Sequence, residues 1–124
     1  MKALEGFDDL LALGRMTRPV NVGTHEFKLH TLNSLEYSRM TRSAGEDPKA
    51  TTAERFEILQ RWTLSYAVES IDDKPVTPEQ VSDLLSKAQL VISNTLYDSY
   101  AEMVTEQNKL LDSAKKNSSA EATS

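Results

Sequence analysis

From Thr77 to about Lys115 the apolar residues keep helical spacing, and from Gln89 onward no obvious break interrupts them. One stripe comprises Leu84, Ala88, Val91, Ile92, Leu96, Tyr100 and Met103. A second, Leu90, Tyr97, Ala101 and Val104, runs to one side of it. A helix hides the stripe that faces its own body. Two separated stripes on one helix therefore demand two coverings. With 124 residues, the chain amounts to one domain with one modest core. One stripe belongs to that core. The other needs an N-terminal helix, a second copy or another protein to cover it. Ser86 and Ser93 are the places where so long a helix can bend.

The start of this helix is written in Thr77-Pro78-Glu79-Gln80: a threonine cap, proline at the first helical position and glutamine at the third. Thr51-Thr52-Ala53-Glu54 is a similar signal, a capping box in which hydroxyl and carboxylate each take a backbone N–H. The helix it opens carries the stripe Phe56, Leu59, Trp62 or Thr63, Tyr66, Ala67 and Ile71. A shorter helix, capped by Thr31 or Asn33, holds Leu35, Tyr37 and Met40 and stops by Gly45.

Ahead of these helices the period changes. Val20 and Val22 alternate with polar residues, as do Phe27 and Leu29, and Gly23-Thr24 separates the two runs. That is a β-hairpin, and its apolar face needs a helix to lie on. Leu4, Phe7, Leu10, Leu11 and Leu13, followed by Gly14, form a short amphipathic helix that is too short to stand alone. The expected fold is mainly α with a small N-terminal β-hairpin (α+β), a three-helix body with a long C-terminal helix. Residues 1–15 are the docking helix, 16–112 the domain and 113–124 a disordered tail.

Composition narrows the functions. The net charge is −5, and the arginines (Arg15, Arg18, Arg39, Arg42, Arg55, Arg61) are scattered among acids. No basic stripe exists for nucleic acid or anionic membrane. The absence of cysteine excludes disulfides and thiolate metal sites. The N-terminus lacks the unbroken apolar run of a signal peptide, and no stretch reaches the ~20 apolar residues of a membrane span.

The motifs for chemistry fail one by one. Asp72 to Asp83 has the length of a calcium loop, but Lys74, Thr77 and Asp83 occupy positions that need a ligand, a glycine and a glutamate. The bland reading is a corner: Asp72-Asp73 bends the chain and Lys74-Pro75-Val76 extends it toward the Thr77 cap. His25 and His30 are five apart in a strand and point to opposite faces. No glycine elbow, Walker loop or dinucleotide glycine pattern occurs. The expectation is no enzyme, no catalytic or metal residues and no cofactor. Trp62, Tyr66, Tyr97 and Tyr100 read first as core packing and second as the lining of a partner groove.

Several of these features, in order, resemble a family of small phage tail assembly proteins: tail assembly chaperones of long-tailed phages and baseplate hub assembly proteins of T4-like phages. The hairpin Val20-x-Val22-Gly23-x-x-x-Phe27-x-Leu29-x-x-Leu32 is followed by Leu35-Glu36. Trp62 then leads to the corner Ala67-Val68-Glu69-Ser70-Ile71-Asp72-Asp73-Lys74-Pro75-Val76, and Leu96-Tyr97-Asp98-x-Tyr100-x-x-Met103 closes the pattern. The similarity covers roughly residues 20 to 105. It departs where Asp73-Lys74 stands in place of the usual glycine. The resemblance implies a non-enzymatic chaperone or minor structural subunit in the host bacterial cytoplasm during assembly, with the virion tail as a second location. Its partners would be the tape measure, baseplate hub or tail tube. The expected binding residues are Leu90, Tyr97, Ala101 and Val104, helped by Leu4, Phe7 and Leu11. Without the resemblance, the same residues suit a cellular helical adaptor or regulator acting as a homodimer.

Overall fold

The computed structural model describes residues 13–45 and 47–123, with side chains to residue 113. The expected helix through Leu4, Phe7 and Leu11 lies outside the described residues. Strands β1 (Thr17–Val22) and β2 (His25–His30) lead into helices α1 (Ser34–Ala44) and α2 (Thr52–Ala67). Strands β3 (Val68–Ile71) and β4 (Lys74–Pro75) follow, then helices α3 (Pro78–Lys87) and α4 (Leu90–Thr123). The fold is mainly α with a small antiparallel sheet of four strands in the order β1-β2-β3-β4.

The first hairpin forms where the alternation places it. Val20 pairs with Phe27 and Val22 with His25 across a two-residue loop. Gly23 opens that loop at φ 61, which a side chain would resist. The corner at Asp72-Asp73 turns out to be a second hairpin. Both aspartates take positive φ, 52 and 63, the pattern of a type I′ turn. Strand β3 returns alongside β2, pairing Ile71 with Phe27, and a bulge at Lys28/Leu29 shifts the register. The period-two signal of Val68-Glu69-Ser70-Ile71 is too short to separate from the helix before it. Ile71 is accordingly a strand residue and not the end of a helical stripe.

Local chemistry sets the helix ends. Asn33 caps α1 in a complete capping box: its side chain accepts from Glu36 N at 2.8 Å and its own N donates to Glu36 Oε1 at 3.0 Å. The box expected at Thr51 is half-formed. Thr51 Oγ1 accepts from Glu54 N at 3.2 Å, but Glu54 receives the Thr51 hydroxyl, not the backbone N–H. At Thr77 the box with Gln80 is complete.

Two expectations about the helices are corrected. The long C-terminal helix is two helices, broken at Ala88 and Gln89 with neither proline nor glycine. Ala88 takes an extended ψ of 161 while its N–H still bonds Leu84 O. The break lets α3 bury Val81 and Leu85 while α4 separately buries Leu96 and Met103. On one straight helix Val81 and Met103 would stand about 33 Å apart, too far to share one small core. Beyond the break, α4 continues past Lys115 to Thr123. Second, the buried face of α2 is Gln60, Thr63, Leu64, Ser65 and Ala67; Phe56 and Leu59 are exposed. Helix α2 packs against α1, α3 and α4, so its polar residues are enclosed. They are tolerated because Thr63 and Ser65 donate to the carbonyls of Leu59 and Arg61, both at 2.7 Å. The amide of Gln60 donates to Asn94 Oδ1 at 3.0 Å.

The core joins the sheet to the helices through Phe27, Leu29, Leu64, Val81, Leu96 and Met103. Each large apolar side chain fully buried here stabilises the fold by about 1.5–3 kcal/mol. Among the described residues, no helix is long and apolar enough to cross a membrane.

Candidate partner-binding surface

The second stripe of the sequence lies along α4, and the structure divides it. Leu90 opens the helix at 61% exposed. Ala101 is exposed, and Val104 is half-buried. Tyr97 behaves differently: it is half-buried and packs against the core cluster. Its ring stands edge-on to Phe56 at 6.4 Å between centroids and lies 6.0 Å from Tyr100. Tyr97 is thus the floor of the surface rather than its tip.

Phe56 is one of the residues that the helical stripe misplaced. Assigned to the core stripe of α2, it is 60% exposed and extends the α4 surface across to α2. Helical period alone cannot show which of two apolar arcs on a central helix faces inward. Tyr100, beneath, has its hydroxyl pushed up to about 12 by burial first and then by Tyr97, Glu36 and Tyr37. The phenol therefore stays neutral. These rings form an amphipathic aromatic face of the kind that anchors protein contacts.

An apolar recess of about 380 Å³ opens at the α3–α4 junction, lined by Val22, Phe27, Ile71, Leu84 and Ile92. Leu84, Leu90 and Val91 are exposed at the same junction. The recess and its surroundings can take an apolar side chain from another protein.

Each histidine meets a carboxylate, and each pair serves the fold. The ring of His25 donates through Nδ1 to Asp72 Oδ2 at 2.6 Å, while Asp72 Oδ1 accepts from Glu26 N at 2.8 Å. These bonds, His25 first and Glu26 second, hold the Asp72 carboxyl below its ordinary value. Together with Asp72 N–H to Glu26 O at 2.8 Å, they tie the two hairpin turns to each other. The buried ring of His30 donates through Nδ1 to Thr31 O at 2.8 Å, and its Nε2 lies 3.6 Å from Glu36 Oε2. Glu36 is at the same time the capping acid of α1. Among the described residues no three histidines or acids gather in a metal-binding group.

Comparison with protein families, curated proteins and solved structures finds no match to this chain.

Proposed function

We propose that this protein is a non-enzymatic phage tail or baseplate assembly protein, a chaperone or minor structural subunit that holds a helical segment of the tape measure, hub or tube protein. One observation carries the reading: α4 and α2 leave Leu90, Phe56 and Ala101 in solvent around a half-buried Tyr97. Leu90, Tyr97 and Ala101 recur along one arc of α4 and Phe56 stands against Tyr97; exposed apolar residues gathered on one side of a small domain mark interaction sites. The geometry suits a client helix laid across the α2–α4 seam with its anchors over Tyr97 and its end near the α3–α4 recess. Supporting the identity of the client is the resemblance of residues 20 to 105 to the tail assembly family, including the hairpin and the Asp72-Asp73 corner.

The test is co-purification with tail proteins expressed from the same phage. Recovery of the tape measure, hub or tube with the unmodified chain, lost in Phe56→Asp and Leu90→Asp, supports the reading. Failure of all three tail proteins to co-purify overturns it. A stable dimer by light scattering that ignores every tail protein would instead favour the homodimeric adaptor.

A further inference from the structure

The recess at the α3–α4 junction has polarity of one kind only. Register builds its sheet wall: Val22 pairs with His25 and Phe27 with Ile71, and residues directly opposite share a face. His25 stands two residues before the buried Phe27 on β2, so it lies on the core-facing side. Leu84, Ala88 and Ile92 close the other wall and leave about 380 Å³ between. Among the residues lining it, His25 alone has a polar side chain, and that side chain is 64% exposed. Its tautomer is set by its partner. The Asp72 carboxyl is held below its ordinary value, so at neutral pH it only accepts, and the proton of the 2.6 Å bond sits on Nδ1. In the neutral ring Nε2 is then a bare acceptor. The last turn of α3 ends at the same recess, and a helix C-terminus presents carbonyls and the negative end of its dipole. Of the charges nearby, Lys87 is paired with Asp83, and Asp72 and Asp73 outnumber Lys74. The mouth therefore welcomes a neutral donor and repels an anion.

Size sets the body of the guest. A cavity of about 150 Å³ holds benzene, so the recess has room for two fused rings. Leu84, Leu90 and Val91 are exposed around it. A free small molecule in the recess would leave that apolar rim wet, whereas the residues flanking a protein side chain would cover it. We infer that the recess seats a tryptophan side chain presented by a partner protein, its indole N–H donated to His25 Nε2. Tryptophan joins a bicyclic apolar body to a polar atom that only donates, and such rings, set in pockets, anchor protein interfaces. This rests on the reading of the chain as a holder of another protein, and it names the anchor; the chemistry of the recess is tested with no tail protein present.

The probe is N-acetyl-tryptophanamide, titrated into the full chain while the methyl resonances of Ile71, Leu84 and Ile92 are followed. Saturable shifts at these methyls are expected. An analogue with benzothiophene in place of indole keeps the shape of the ring and loses the N–H, and it should bind at least about threefold more weakly. No shift, or equal binding of the two, overturns the inference without any change to the protein. Ala88→Leu fills the recess from a half-buried position and should abolish the shifts at an unchanged melting temperature; shifts that persist in the folded variant place the site elsewhere and overturn the inference. A peptide with leucines three and four residues after its tryptophan should bind at least about tenfold more tightly than the amide, because it also covers Leu84, Leu90 and Val91. No gain from the peptide would leave the recess to a free aromatic molecule and overturn the protein partner. Tail proteins that fail to co-purify while amide and peptide still bind would remove the proposed client and leave the tryptophan anchor standing.

Discussion

Asp72 and Asp73 hold left-handed backbone that glycine adopts more readily. Asp72 is compensated by its bonds to His25 and Glu26 N. Asp73→Gly should therefore stabilise the protein by roughly 0.5–1 kcal/mol, read from thermal melts, because the strain is relieved and the turn is kept. The pH dependence follows from Asp72. Its carboxyl lies below the ordinary 3.8 in the folded protein. Its contribution is then fully present above about pH 3.8 and is lost as pH falls through the lower folded value. Asp72→Asn should show a flatter loss of stability on acidification. Equal slopes for the two proteins would mean that the carboxylate bonds do not matter to the turn. None of this pairing was legible in the sequence, since His25 and Asp72 are far apart in the chain and become neighbours only when β3 returns beside β2. The corner itself was legible as a turn from its aspartates and proline.

At the scale of elements, alternation and caps carried most of the fold. The first hairpin, the starts of α2 and α3 and the capping residue of α1 lie where turn and cap chemistry place them. Two things depend on tertiary packing and were not legible. One is the break at Ala88-Gln89, which no helix-breaking residue marks. The other is the inward face of α2, which Thr63 and Ser65 share with Leu64 by bonding back to the helix. The consequence for Trp62 is measurable. It is half-buried against Tyr66, so Trp62→Ala should cost less than the roughly 3–5 kcal/mol of a fully buried aromatic. Leu64→Ala, at a fully buried site, should cost about 2–5 kcal/mol. Denaturant unfolding of the two variants tests the order; a larger loss at Trp62 would invert the inward face of α2.

For the whole molecule, the exposed rim and the packed floor of the α2–α4 surface should separate under mutation. Phe56→Asp and Leu90→Asp should leave stability within about 0.5 kcal/mol of the unmodified chain, the usual range for surface sites, and abolish tail-protein binding. Tyr97→Asp, which places a carboxylate among Phe56, Tyr100 and the core, should instead lower the melting temperature. Undiminished binding by Phe56→Asp at normal stability would move the partner elsewhere. The form of the sheet limits how any partner is gripped. Its outer strands make poor templates: β1 is interrupted by Pro19, which has no N–H, and β4 is two residues long and ends in Pro75. A guest chain that extended this sheet would find few main-chain donors at either edge. Under the proposed holding role, recognition runs through side chains on helices, which read shape and oiliness more than sequence, and such a holder accommodates segments that differ in detail.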